Sequence, residues 1–416
     1  MTSAREHGRP EPCRGPIALF GLFGVGNFGN EASLRSAIDA ARELAPEREL
    51  VCVCAAPDRV SAMHGVRAVP IQMSSWEDRY HGARRVARLM MRPFVEWRRT
   101  VAARRFLEGC SAVVVPGTGI LDDFGVRPWE MPWGLYRWSR QAARARVPFA
   151  FVAVGAGPIE DSMNRRLMVA ATRQATSRSF RDEGSHAFMA TLGAASARDP
   201  VVPDVVFGLT HPAPTPVRTA APLRVGLGVM AYYGWRNDPA SGSATFDRYL
   251  ARLAALARGL LDDGHELRLL IGEHTDEVAV ARLAAVLGPD VAPRITFEPV
   301  GSIEGLLDQI DQVDAVVATR FHNVVGALMM ERPVVSIGYA AKNQEVLERY
   351  GLGAHHHPAD DFDPDAVRRD LRELVGRWDV LQPTVAAQRA ADRAEVWERY
   401  RAALVAASPL ERSELA

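Results

Sequence analysis

Nine apolar runs of strand length alternate with stretches of helical spacing, and few folds accept that alternation. The runs are IALFGLF, ELVCVCA, SAVVVPG and PFAFVAVG, then LRVGLGVM, ELRLLIG, RITFEPV, DAVVATR and PVVSIGY. Most are apolar on both faces, as strands are when helices cover both sides of a parallel sheet. Segments such as EASLRSAIDAAREL and TFDRYLARLAALARGLLDDG supply amphipathic helices. The expected class is α/β.

At 416 residues the chain exceeds what one hydrophobic core usually supports, so two domains are expected. The segment HPAPTPVRTAAP, residues 211–222, carries four prolines that continue neither strand nor helix, and reads as the connector. The expected division is a Rossmann-like domain at 16–210, a second at 223–385 and a C-terminal helix at 386–416. Apolar residues make up 48% and formal net charge is zero, which argues against disorder and against a general grip on nucleic acid. The longest nearly uncharged apolar stretch, VPFAFVAVGAGPI, has thirteen residues, too few to span a bilayer. Residues 1–15 hold no apolar signal-peptide core, so a cytoplasmic protein is expected. Cys13, Cys52, Cys54 and Cys110 fall in no zinc spacing and read as structural thiols.

After the first apolar run comes GLFGVGNFGNE, with Gly24, Gly26 and Gly29 in GxGxxG spacing. A strand, a glycine-rich turn and a helix starting near Asn30 would aim unpaired backbone N–H groups at an anion. A dinucleotide site also needs an acid after the second strand, and Asp58 is the evident candidate. Asn27, Asn30 and Glu31 add polar side chains that a plain dinucleotide turn does not require.

Six pieces in order, GLFGVGNFGNEASLRSAI, VVVPGTGILDD, VGAGPI, RDEGSHAFMATLGA, VVPDVVFGL and TRFHNVVGALMMERPVVSIGYAAKN, resemble the polysaccharide pyruvyltransferase family from about residue 17 to 352. The first motif there usually reads GNxGDE, so Asn30 stands where Asp is expected. The resemblance implies two Rossmann-like domains in a GT-B-like arrangement with the active site between them. It also implies transfer of a pyruvyl group from phosphoenolpyruvate to two sugar hydroxyls as a ketal, and no cofactor is expected besides the donor substrate. The donor side would be the C-terminal domain. The glycines and polar residues at Gly26, Asn27, Asn30, Glu31, Gly117 and Gly119 would bind substrate, and Arg181 in SRSFRDEGS would stand at the active site.

DAVVATRFHNVVGALMM reads as a buried strand followed by a helix, with Arg320 and His322 at the junction. Ligands of open α/β sheets bind at the carboxyl ends of strands, where helix N-termini favour anions. Arg320 is expected to clamp an anion with two N–H groups, and His322 to donate or accept a proton near neutral pH. Of fifty basic residues only Lys342 is lysine, and it follows the next strand at the same edge. A compact ammonium suits a place where a planar guanidinium does not fit. Resemblance to the family makes His322 the acid that protonates the donor's methylene carbon. Glu31, Asp122 and Glu273 are candidates for the base.

Trp129, Trp133 and Trp138 fall within ten residues and offer either sugar platforms or a buried aromatic cluster, with Asp122 and Asp123 as hydroxyl acceptors. His274 and Asp276 in GEHTDE are further candidates at the second-domain cleft. Residues 76–108 hold nine Arg against four acids at helical spacing, and a basic amphipathic helix of this kind rests on an anionic membrane or forms a solvated face. His355, His356 and His357 read as a loop whose rings point apart. The rival functions are a GT-B nucleotide-sugar glycosyltransferase and a non-catalytic glycan-binding module.

Overall fold

The computed structural model describes residues 15–73, 85–124, 126–234 and 239–405. Two compact units divide it: one takes the chain up to Gly24, Ala37–Val201 and the residues from Trp397, the other Val25–Ser36 and Val202–Val396. Cys13 and residues 76–84 of the basic segment lie outside the described residues.

The first unit is built on strands β1 (Ile17–Gly21), β2 (Leu50–Cys54), β3 (Arg67–Pro70), β4 (Ala112–Pro116), β5 (Phe149–Val154) and β6 (Ser177–Phe180). They pair in parallel in the order β3-β2-β1-β4-β5-β6. The second unit repeats the plan with β7 (Arg224–Gly228), β8 (Glu266–Leu270), β9 (Ile295–Phe297), β10 (Ala315–Ala318), β11 (Val334–Gly338) and β12 (His356–Pro358), in the order β12-β11-β10-β7-β8-β9. In each sheet the first strand in sequence sits centrally and the chain leaves it in both directions. That reversal opens a crevice at the carboxyl edge, between β1 and β4 and between β7 and β10.

The central strands are apolar on both faces because both faces are covered: β1, β4, β5, β10 and β11 are buried along their whole length. Phe20, Trp138 and Phe149 interlock under the first sheet, with ring centroids 5.9 and 6.4 Å from Phe20. Cys52, Cys54 and Cys110 are buried thiols in this packing. A 28-residue helix, Trp378–Val405, ends the described chain.

The histidine run departs from expectation. His356 and His357 belong to β12, and His355 closes the 3-10 turn just before it. The rings of His355 and His357 bond Asp370, from Nδ1 at 2.5 Å and Nε2 at 3.0 Å. Burial raises the Asp370 pKa, but the two histidines outweigh it and hold the carboxyl at about 2.

Candidate active site

In the second unit the candidate side chains Arg320, His322 and Lys342 lie at the carboxyl edge of the sheet. Arg320 is the N-cap of the nine-residue helix Phe321–Met329, which puts His322 in its first turn. Lys342 lies in the first turn of the helix Ala341–Arg349, which follows β11. Its ammonium stands 5.1 Å from the Phe321 ring centroid and 5.7 Å from that of Tyr339, and among the described residues it pairs with no carboxylate. Two aromatic faces hold a cation by their quadrupoles without neutralising it, so this charge remains available to an anion.

Arg320 differs from expectation. Its Nε and Nη2 bond the two oxygens of Asp276 at 2.9 and 2.6 Å, and Nη2 also bonds Glu273 at 2.5 Å. The expected clamp is therefore occupied by protein carboxylates, and the three groups together carry a charge of −1. Burial opposes the charge on Arg320, but Asp276 and Glu273 outweigh it and raise its pKa. Asp276 is fully buried and also accepts the backbone N–H groups of Ala231, Gly272 and Glu273. It anchors Arg320 and leaves no face for a sugar. Glu273 is lowered in pKa: burial pushes it up, but Arg320, Thr275 and Asn27 outweigh that.

The opening glycine motif joins the same network. Gly24 and Gly26 have φ values of +82° and +86°, which an L side chain rarely adopts. The turn delivers Asn27 to the start of the helix Phe28–Leu44. Asn27 Oδ1 accepts the N–H of Asn30 at 3.1 Å, and its Nδ2 donates to Glu273 at 3.2 Å. The first turn is thus capped and tied to Arg320 through one carboxylate. The third glycine has another cause: a Cβ on Gly29 would lie 1.9 Å from Cε1 and 2.4 Å from Nε2 of His322. Gly29 makes room for that ring. Glu31, one turn in, is buried, and His274 packs edge-on against Phe28 at 5.5 Å while its side chain stays exposed.

The first unit has its own cluster at the carboxyl edge. The loops after β4 and β5 are joined by the N–H of Gly155 to Thr118 at 2.9 Å and of Gly157 to Leu121 at 3.2 Å. Gly117 and Gly119 lie in the first of these loops. A Cβ on Gly155 would meet Arg181 Nη2 at 2.4 Å, and one on Gly119 would meet Asp122 Oδ2 at 2.9 Å. Small residues here let Arg181 and Asp122 lie against the backbone. Arg181 also pairs with Asp182 at 3.4 Å, while Asp182 caps the helix Glu183–Thr191. Asp123 is committed to the N–H of Asp161 at 2.8 Å. Asp58 is exposed in the first turn of the helix Pro57–His64.

The tryptophans separate. Trp138 is fully buried with its N–H on Ile71, and Trp133 donates to Glu96 at 2.7 Å. Trp129 is half exposed, with Arg92 4.5 Å over its ring. Only Trp129 resembles the expected platform, because the helix Met131–Ala145 turns Trp138 into the core.

Residues missed by sequence reasoning are Phe321 and Tyr339, the aromatic walls of Lys342, and Asn323. The Asn323 side chain is fully buried at the start of the His322 helix, and neither of its polar atoms has a hydrogen-bond partner among the described residues.

Comparison with solved structures finds the same fold at low sequence identity. A putative UDP-N-acetylglucosamine 2-epimerase from Listeria monocytogenes matches with TM-score 0.57 at 12% identity, over 92% of this chain and 94% of that one. UDP-GlcNAc 2-epimerase from Methanocaldococcus jannaschii gives 0.54 at 10% identity, over 87% and 91%. HepE from Anabaena, solved with UDP and glucose, gives 0.54 at 13% identity, over 96% and 99%. At these identities the likeness establishes the fold, two Rossmann-like domains of GT-B type. A search of curated proteins found no match. The family model described as polysaccharide pyruvyl transferase matches residues 27–340.

Proposed function

Because the chain belongs to the polysaccharide pyruvyl transferase family, we propose that it moves the pyruvyl group of phosphoenolpyruvate onto two hydroxyls of a sugar or glycan as a ketal, releasing phosphate. The observation that carries this reading is the pairing, at one sheet edge, of a proton-transfer group, His322, with an uncompensated cation, Lys342. Phosphoenolpyruvate brings a phosphate and a carboxylate and is itself activated, so the reaction needs no cofactor.

In the proposed sequence His322 gives a proton to the methylene carbon, leaving a cationic centre at C2. The first sugar hydroxyl attacks C2 and loses its proton. The C2–O bond to phosphate then breaks, and the second hydroxyl closes the ketal as its proton is lost. One hydroxyl proton restores His322 and the other leaves with phosphate. The net negative Arg320–Asp276–Glu273 group supports the cationic centre electrostatically, and Lys342 offsets the donor's negative charge. We assign the acceptor to the first unit's edge, with Gly117, Gly119, Asp122, Arg181 and Trp129.

Phosphate release on mixing protein, phosphoenolpyruvate and a glycan acceptor tests the reading. A nucleotide-sugar transferase, the rival that the fold of HepE keeps in view, would instead release UDP from UDP-sugars and leave phosphoenolpyruvate intact. Acceptor binding with neither release would mean a glycan-binding module. Lys342 gives a residue-level check. Lys342→Ala should lower kcat/KM for the donor by roughly tenfold to a hundredfold, the loss of one charged hydrogen bond of about 1.5–3 kcal/mol. Lys342→Arg should also impair donor use, because the longer side chain and planar fork of arginine present charge and donors differently from a compact ammonium. Donor kinetics of Lys342→Arg equal to wild type would remove Lys342 from the site.

A further inference from the structure

The helix Arg85–Glu108 of the first unit has one face fixed inward by a buried polar knot. Glu96 bonds Arg99 at 2.6 Å, Trp133 at 2.7 Å and Arg137 at 2.9 Å, while Arg99, Ala103 and Leu107 are buried beside it. Three committed partners on one carboxylate leave the helix little freedom to roll, so its opposite face is held outward.

That outward face is aromatic and cationic. Phe94 is 43% and Trp97 61% exposed, and among the described side chains large apolar groups so exposed are few. Their rings stack on each other 5.9 Å apart at 27°, with the Arg98 guanidinium 6.0 Å from the Phe94 centroid. Two turns on, Arg104 and Arg105 are exposed, and Glu108, the acid of this face among the described side chains, is bonded to Arg104 at 2.9 Å. Aromatic rings set among guanidinium groups on a helix surface match the interfacial layer of a bilayer, where rings enter the headgroup region and cations meet lipid phosphates. A second copy of the chain fits less well, since two such faces would set guanidinium against guanidinium.

We propose that this face, through Phe94, Trp97, Arg98 and Arg105, docks the protein on an anionic phospholipid bilayer. No described helix is long and apolar enough to cross a membrane, so attachment here is peripheral. Docking of this kind would bring the protein to saccharides carried on lipid.

Co-sedimentation of the full chain with vesicles tests this, using phosphatidylcholine alone and phosphatidylcholine mixed with phosphatidylglycerol. The wild type should sediment with the anionic vesicles and release as salt is raised. Phe94→Ser/Trp97→Ser should weaken that partition by about tenfold or more. Arg98→Glu/Arg105→Glu should remove the preference for anionic lipid. Thermal melts within a few degrees of wild type show that the variants fold, and this readout is independent of the donor chemistry. Equal sedimentation with both vesicle types, or variants that bind as wild type does, would overturn the proposal. So would light scattering that shows a dimer dissolved by Phe94→Ser/Trp97→Ser, which would make the face an interface between copies. Salt-sensitive binding of duplex DNA in place of anionic vesicles would overturn it too.

Discussion

His322→Ala should lower kcat by about a hundredfold or more while the protein melts as wild type does, since a positioned acid contributes roughly that factor. The position of the ring, and not only its presence, should matter. Gly29 has no left-handed φ to require glycine, so its small size answers to the ring 1.9 Å from where a Cβ would stand. Gly29→Ala must turn or push the imidazole, and activity should fall by on the order of tenfold or more. Stability should hold, because alanine favours a helix over glycine by about 0.5–1 kcal/mol. Combining the two changes separates positioning from a general disturbance. In His322→Ala the ring is gone and Gly29→Ala should then cost little more, a departure from additivity expected of groups in contact. Steady-state phosphate release measures all three variants. Additive losses would mean that Gly29 serves something other than His322, and near-wild-type kcat in His322→Ala would remove the proposed acid.

What the sequence revealed, and what it withheld, follows from which interactions are local. The central strands are apolar on both faces, so each appears in sequence as an unbroken run. Three of the four edge strands do not: RAVP of β3, SRSF of β6 and HHP of β12 carry polar or half-buried residues, so nothing marks them as strands in advance, whereas β9 lies within the run RITFEPV. The positions of His322 and Lys342 at the sheet edge were legible because each closely follows a buried run at the point where a strand gives way to a helix. The compensation of Arg320 was not, because its partners Glu273 and Asp276 stand 47 and 44 residues away, in the loop after β8, which β7 separates from β10. The role of Gly29 was hidden for the same reason. Its spacing suggested a nucleotide turn, and the group that explains its size comes from nearly three hundred residues further along the chain. The three tryptophans were recognisable as a cluster, but helix phase buries Trp138, whereas Trp129 stands in the turn before that helix and stays half exposed.

The anchoring of Arg320 carries the largest stability effect expected in this protein. Asp276 is 0% exposed and takes five hydrogen bonds, two from Arg320 and three from the backbone of two separate loops. Asp276→Ala leaves a largely buried guanidinium with Glu273 as its remaining carboxylate and strips the loops at Ala231 and Gly272 of their acceptor. Breaking one side of a buried pair costs about 3–5 kcal/mol, because the surviving charge has lost water without gaining a partner. The double variant Asp276→Ala/Arg320→Ala removes that stranded charge and should recover part of the loss, although the unpaired backbone N–H groups remain. Asp276→Asn keeps acceptor capacity and should fall between wild type and alanine. Urea unfolding of the full chain, followed for these three variants and for Arg320→Ala, reads the order directly. Should Asp276→Ala cost less than about 1 kcal/mol, the pair is not the anchor that its geometry indicates. Should the double variant be as unstable as the single variants summed, the Arg320–Asp276 coupling is absent, and the turn that carries His322 must be held by something else.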